Sequence, residues 1–149
     1  MLPNATIKTI LEGLTGSPTY VRASTLEDLE EKSTDFGDEV LAVHSDLPVI
    51  TNNQSIAGAV VREYPVEVLF LTLDDIDSQT ESEDTIRDAM AALADEFYDK
   101  LAADSIVSKT TPLDSYTLNA VDSRKILTEV YTGIAIECTL YIDRDTYCC

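Results

Sequence analysis

Residues 64–101 read YPVEVLFLTLDDIDSQTESEDTIRDAMAALADEFYDKL and contain a strand followed by a helix. The segment 66–73 has bulky apolar side chains on both parities, which is typical of a strand covered on both faces. After a turn at 74–77, apolar residues recur at helical spacing: Ile86, Met90, Leu93, Phe97 and Leu101. That spacing places them on one face of an α-helix. The sequence therefore predicts a central strand and a long amphipathic helix, over about residues 82–101, packed on it.

Shorter elements surround this unit. A first helix is predicted over residues 4–14, with Asn4 as its cap and Gly16 near its end. Strands are predicted at 19–21, 39–44, 47–50, 56–63, 114–121 and 130–142, with a short acidic helix at 24–32, a polar loop at 51–55 and a turn or bulge at 122–124. Strands grouped around one crossing helix predict an α+β domain with a mostly antiparallel twisted sheet, on which the N-terminal helix and the long helix pack. All 149 residues fit one domain, in which the acidic segment 25–38 is a weakly packed or mobile insertion.

The last predicted strand, 130–142, has the clearest alternation in the chain. One parity is apolar and the other is more polar, as in a strand with one face on a core. Its 13 residues are long for a strand, and strands that overshoot their domain often reach a neighbouring subunit. The expected contact residues of a subunit interface are Tyr131, Ile134, Ile136, Tyr141 and Ile142. Tyrosines are frequent interface anchors, and cross-strand packing within one chain is the alternative for them.

The chain carries 28 acidic and 10 basic residues, a formal net charge of -18. Such a surface repels phosphate backbones and anionic lipids, so charge-driven binding to nucleic acid or to membranes is disfavoured. A solvated surface that keeps the protein soluble and adaptation to a saline cytoplasm are both open explanations. No apolar run reaches the roughly 18–20 residues that span a bilayer, and residues 1–14 lack the features of a signal peptide. We therefore expect a soluble protein made in the cytoplasm.

Catalytic chemistry has little support in the sequence. His44 is the single histidine, no nucleophile motif accompanies it, and we predict a surface or capping residue. The acidic run Asp74, Asp75 and Asp77 lacks the glycine and the bidentate glutamate of a calcium loop, which favours a solvated turn. No glycine-rich phosphate-binding motif is present. We predict no cofactor, no metal and no enzymatic activity; a hydrolase using paired carboxylates is the remaining enzymatic alternative.

The three cysteines do not form a disulfide framework, because their number is odd and two are adjacent. Cys138 falls on the apolar parity of the last strand and is predicted to be a small core residue. Cys148 and Cys149 are expected to be frayed and exposed, since no neighbouring cysteine or histidine cluster supports a metal or redox role.

The order and character of these elements resemble the small neck and tail-completion proteins of long-tailed bacteriophages, especially tail terminators. The resemblance covers residues 47–149. It is carried by LPVI (47–50), YPVEVLFLTLDD (64–75), EDTIRDAMAALADEFYDKL (83–101) and SYTLNAVDSRKILTEVYTGIAIECTLYI (115–142), followed by a short tail that contains cysteines. The N-terminal helix fits as well, whereas the acidic segment 25–38 has no counterpart.

This resemblance implies a non-enzymatic virion protein of the tail or neck, assembled in the host cytoplasm. Such proteins form a ring, often of six copies, that caps the tail tube and joins it to the head. The implied partners are further copies of the chain, the tail tube protein and neck or connector proteins, while DNA passes through without specific binding. On this reading the negative charge suits a lumen, and a lumen-facing acidic loop would contain Asp74, Asp75, Asp77, Glu81 and Glu83. The alternative is a small cytosolic α+β protein-binding module without enzymatic activity.

Overall fold

The computed structural model describes residues 3–23, 40–45, 51–54, 60–73, 80–109, 111–126 and 129–143. The helices and strands in these ranges are, in chain order, α1 (Asn4–Glu12), β1 (Thr19–Ala23), β2 (Leu41–Ser45), β3 (Thr51–Gln54), β4 (Val60–Leu73), α2 (Thr80–Ala102), β5 (Thr117–Ile126) and β6 (Glu129–Asp143). Neither described helix is long and apolar enough to cross a membrane.

The strands form one sheet in the order β1-β2-β4-β6-β5, and β3 pairs with a second stretch of β4. Strands β1 and β2 run parallel, while the remaining pairs are antiparallel. The predicted α+β class with a mostly antiparallel sheet is therefore confirmed. Of the turn or bulge predicted at 122–124, the structure shows the bulge, because the register between β5 and β6 shifts between Val121 and Arg124.

The core lies between the sheet and the two helices. Strand β4 is central, with β6 on one side and β2 and β3 on the other. Phe97 from α2 is fully buried, and its ring meets the ring of Phe70 from β4 with centroids 6.3 Å apart at 60°. This edge-on geometry is the preferred one for aromatic pairs. The periodic residues Met90, Phe97 and Leu101 are all buried, so the predicted apolar helix face is confirmed.

Three local predictions are wrong. The polar run predicted as a loop contains strand β3, in which Thr51 pairs with Glu63, because the free edge of β4 supplies hydrogen-bonding partners that outweigh low strand propensity. Asn4 is not the cap of α1. Pro3 holds that position, and its carbonyl accepts the first helical hydrogen bond, from the N–H of Ile7 at 3.0 Å.

His44 is not a surface residue. Strand β2 is interior, flanked by β1 and β4, and His44 is only 4% exposed. Its Nδ1 lies 3.0 Å from the hydroxyl of Tyr20 on β1. This partner satisfies a ring nitrogen that burial would otherwise leave without a hydrogen bond.

Several predicted features lie outside the described residues. These are the short helix at 24–32 with the acidic segment 25–38, the strand at 47–50, the acidic turn at 74–77, and Cys148 and Cys149.

Gly133 allows β6 to approach β4 closely at the middle of the sheet. A Cβ placed on Gly133 would lie 1.7 Å from the backbone carbonyl oxygen of Phe70 and 3.1 Å from Cα of Leu71. A backbone atom cannot move aside as a flexible side chain can. Glycine is therefore required at position 133 because β4 and β6 lie too close together for a side chain. The two strands would have to separate to accept any larger residue.

We expect Gly133→Ala to destabilise the folded chain by about 3 kcal/mol, the upper part of the range for overpacked sites. Urea unfolding followed by circular dichroism measures this loss. Gly13→Ala is the control, because its Cβ would come no closer than 3.3 Å to the backbone oxygen of Thr9 at the exposed end of α1, so that it should cost much less. Equal stability of the Gly133→Ala variant and the native chain would show that the strands are further apart than described.

Candidate functional site: the outer face of the sheet and its free edge

Alternate residues of β4 and β6 point to opposite faces of the sheet. The pairs Val68–Ile136 and Phe70–Ile134 are buried in the core cluster that contains residues of both helices, and this side is called the helix face. The intervening residues form the outer face, on which Glu67 stands opposite Glu137.

One half of the outer face is apolar. Six buried strand residues form a second cluster there, and none of them comes from a helix: Val21, Leu41, Val43, Leu71, Val121 and Ala135. The central sheet therefore carries apolar groups on both faces in this half, as predicted for segment 66–73.

The other half of the outer face is acidic. Glu67 and Glu137 are both exposed and directly opposite each other across the β4–β6 ladder. They border an open hollow of about 550 Å³, which Asp114 and the hydroxyl residues Ser115, Thr117 and Thr139 also line. Like charges directly opposite in a sheet are destabilising. The repulsion between these two carboxylates is therefore a local cost to the sheet, set against the other contacts that Glu67 makes.

The hollow has the chemistry of a surface that repels anions. Among the described residues, its lining supplies three carboxylates, from Glu67, Asp114 and Glu137, and no lysine or arginine. Among the described residues no group of three or more histidine, cysteine, aspartate or glutamate side chains is arranged to hold a metal ion. Negative charge concentrated on one wall disfavours the approach of phosphate groups.

Neutralising one member of the acidic pair tests its cost. We expect Glu137→Gln to raise the free energy of unfolding slightly at low salt, because it removes repulsion from Glu67, and to raise it less as salt screens that repulsion. Asp88→Asn, on the exposed surface of α2, is the control for a general loss of one negative charge. A fall in stability for Glu137→Gln alone would show that the carboxylate makes a favourable contact.

Cys138 forms part of the wall behind the hollow. It is a free cysteine, 8% exposed, and belongs to the core cluster of the helix face. Burial raises the pKa of its thiol to about 12, so the nucleophilic thiolate is suppressed at neutral pH. The prediction of a small core residue is confirmed.

Tyrosines fix the segment that leads into β5. The hydroxyl of Tyr98 donates to the backbone carbonyl of Asp114 at 2.8 Å, and the hydroxyl of Tyr141 donates to the carboxylate of Asp114 at 2.8 Å. The hydroxyl of Tyr116 donates to Asp95, and the rings of Tyr98 and Tyr116 lie with centroids 4.3 Å apart. These contacts hold the start of β5 against α2 and β6.

The same contacts raise the pKa of two of these tyrosines. The hydrogen bond to Asp114, with smaller contributions from burial and nearby carboxylates, raises the pKa of Tyr141 to about 12. The bond to Asp95 likewise raises the pKa of Tyr116. A hydroxyl that donates to a carboxylate loses that bond on ionisation, so both tyrosines stay protonated at neutral pH.

Three of the five residues predicted for a subunit interface are buried in the folded chain. Ile134, Ile136 and Ile142 are 8%, 0% and 1% exposed and lie in the core cluster beneath the helices. They cannot contact a second subunit while the chain is folded, because its own helices cover them. Tyr141 is half-buried and its hydroxyl is bonded within the chain. The side chain of Tyr131 lies outside the described part of the structure.

The predicted lumen-facing loop is also largely outside the described residues. Asp74, Asp75 and Asp77 lie there, whereas Glu81 and Glu83 fall in the first turns of α2, which begins at Thr80. Only the backbone of these two glutamates is described. The helix itself extends slightly beyond the predicted bounds at both ends.

The free edge of the sheet is a surface that sequence reasoning did not single out. Strand β5 is last in the sheet order, and residues 117–120 are all exposed. Leu118 is the one large hydrophobic residue that is exposed in the described chain, at 36%. The run 117–121, TLNAV, is uncharged, and this is the one feature of the sequence that distinguishes the edge segment. Which strand lies at an edge could not be known before the topology.

A polar junction holds the end of α1 against α2. Both oxygens of the Glu96 carboxylate accept from the backbone N–H of Thr15, at 3.2 and 3.3 Å. Lys100 lies 3.3 Å from Glu96 and donates to the carbonyl of Gly13 at 3.0 Å. Burial is the largest single influence on Glu96 and opposes its ionisation, but the Thr15 donors and Lys100 together outweigh it and lower the pKa of this carboxyl.

This junction makes stability depend on pH in a defined direction. A carboxyl with a lowered folded-state pKa contributes stability above its unfolded pKa, and that contribution is lost as pH falls through the folded value. We therefore expect the native chain to be more stable than Glu96→Gln at pH 6 and the difference to shrink by pH 3. Thermal melts of both proteins across this range measure it. A difference that stays constant with pH would show that the carboxylate is not ionically engaged.

Comparison with known proteins adds no family assignment, because neither a family model nor a curated protein matches the sequence. The geometry of the outer face and of the β5 edge is therefore what bears on function.

Proposed function

We propose that this chain is a structural protein of the virion of a long-tailed bacteriophage, of the tail terminator or neck class. In this proposal several copies form a ring that caps the tail tube, joins it to the head and conducts DNA. The observation that supports it most directly is the acidic half of the outer face, where Glu67 and Glu137 stand opposite each other beside an open hollow.

A passage for DNA has to admit a polyanion without holding it. Proteins bind duplexes largely by neutralising phosphates with lysine and arginine, so a wall lined with carboxylates leaves DNA free to move. The helix face is covered by α1 and α2, whereas the acidic half of the outer face is open. We place this acidic half towards the lumen of the ring and the helices away from it.

The cost of the acidic pair favours a functional explanation. Repulsion between opposed carboxylates works against folding, and a solubilising role needs negative charge only somewhere on the surface. Features that break a local rule of stability are most often found where function requires them. Opposed glutamates at the centre of a long ladder fit this description better than charges scattered along a helix.

The alternative is a protein-binding module that uses the same scaffold without forming a ring. A closed and fully polar surface would favour it. The exposed, uncharged edge at 117–120 supports the assembling protein instead, because an open edge is a place where another chain can add.

Native mass across a series of protein and salt concentrations tests the proposal. We expect a ring-sized species that grows with added salt, because subunits with a net charge of -18 repel each other when screening is weak. Electron microscopy should show the species as an annulus. A chain that stays monomeric throughout, and is missing from purified phage particles, would overturn the proposal and favour the binding module.

A further inference from the structure

His44 is a buried titratable side chain at the contact between β1 and β2. It is 4% exposed, and its strand β2 lies between β1 and β4. Its Nδ1 lies 3.0 Å from the hydroxyl of Tyr20 on β1, and the two rings are tilted by 54° with centroids 6.1 Å apart. Tyr20 itself packs against the core cluster of the helix face. Little water therefore reaches the imidazole while β1 is attached to β2.

Among the described residues, the charged side chains next to the Tyr20–His44 contact belong to β1 and α1. Arg22 stands opposite His44 in the parallel β1–β2 register, and residues opposite each other in a sheet share a face. On α1, Lys8 lies with its Nζ 5.9 Å from the centroid of the Tyr20 ring and forms an exposed ion pair with Glu12 at 3.6 Å. A like charge nearby disfavours the charged form of a titratable group. Arg22 in particular therefore disfavours a positive charge on the imidazole.

The neighbour of His44 on β4 is apolar. Val68 stands opposite His44 in the antiparallel β2–β4 register and is fully buried. Burial among apolar groups disfavours the charged form of histidine. A neutral imidazole can also accept at Nδ1 from the hydroxyl of Tyr20, whereas a protonated imidazole is a donor at both nitrogens. Burial and the contact with Tyr20 therefore both suit the neutral form.

Strand β1 is the element whose attachment depends on this contact. It has five residues, is last in the sheet order and pairs with β2 alone among the described strands. The N–H of Thr19 donates to the carbonyl of Val40 at 2.7 Å at the start of this pairing. Strand β2 is held on its other side by β4, so β1 can separate while the β4–β6 ladder stays intact. Short elements at the end of a sheet open more readily than its centre.

We propose that His44 makes the attachment of β1 to β2 dependent on pH, so that acidification through the range in which histidine titrates loosens β1. This inference does not depend on the proposed function. An imidazole in water takes up a proton near a pH of about 6.5. Separation of β1 brings His44 into contact with water, so the detached state binds that proton more readily than the attached state. The attachment is therefore strongest above about pH 6.5 and weakens as the pH falls below it.

Hydrogen exchange of the β1 amides that pair with β2, Thr19 among them, measures this attachment in the full-length chain. After correction for the intrinsic pH dependence of exchange, we expect their protection in the native chain to fall about tenfold between pH 7 and pH 5. In His44→Gln we expect protection to stay constant, because glutamine is polar but takes up no proton. Tyr20→Phe is the control. It removes the hydroxyl and keeps the histidine, so protection should be lower at both pH values and should still fall between them.

A second measurement needs no variant. His44 is the single histidine, so the imidazole signal in an NMR titration of the native chain is assigned directly. A titration midpoint below about 6.5 supports the proposal, and a midpoint at or above that value overturns it, because the imidazole would then be charged as readily as in water. Equal protection of β1 in the native chain at both pH values, or an equal fall in His44→Gln, overturns it as well.

Discussion

The ladder between β4 and β6 is the interaction on which the rest of the structure depends. It runs antiparallel from Val61 opposite Asp143 to Leu73 opposite Tyr131 without a break in register. Because side chains alternate along a strand, this one register decides which residues face the helices and which face outwards. A shift of β6 by one residue would carry Glu137 into the core. The close approach at Gly133, where no Cβ fits against the backbone of Phe70, holds β4 and β6 in this register.

The two faces of the sheet that this ladder defines contribute differently to stability. The helix face accounts for stability, since it buries the Phe70–Phe97 contact together with most of the large apolar side chains. The acidic half of the outer face holds no comparable apolar cluster among the described residues, and its opposed glutamates repel each other. The burial on one side outweighs that repulsion, because each fully buried apolar side chain contributes about 1.5–3 kcal/mol. The buried helix face therefore makes the fold stable enough to tolerate the repulsion between Glu67 and Glu137 on the outer face.

Much of the fold could be predicted from periodicity. The strand predicted at 130–142 is β6, Glu129–Asp143, and the helix predicted at about 82–101 is α2, Thr80–Ala102. Both patterns extend over many residues, so local propensity and burial agree. Strand β3 was missed because its residues have weak strand propensity and only the neighbouring edge of β4 makes them extended. The burial of His44 was missed for a related reason, since the position of β2 inside the sheet follows from topology.

The burial of three residues expected at a subunit interface shows how strand length should be interpreted. The length of β6 predicts a partner outside the chain, with Ile134, Ile136 and Ile142 among the contact residues besides Tyr131 and Tyr141. The structure supplies the partner from within: β4 has 14 residues, β6 has 15, and they pair along nearly their whole length. The length of β6 thus indicates that it needs a long partner strand, and β4 is that partner. Among the described strands, β5 is paired on one side only, with β6, and residues 117–120 along it are exposed and uncharged. Open hydrogen-bonding groups at an edge, rather than strand length, indicate where a sheet can accept a further strand.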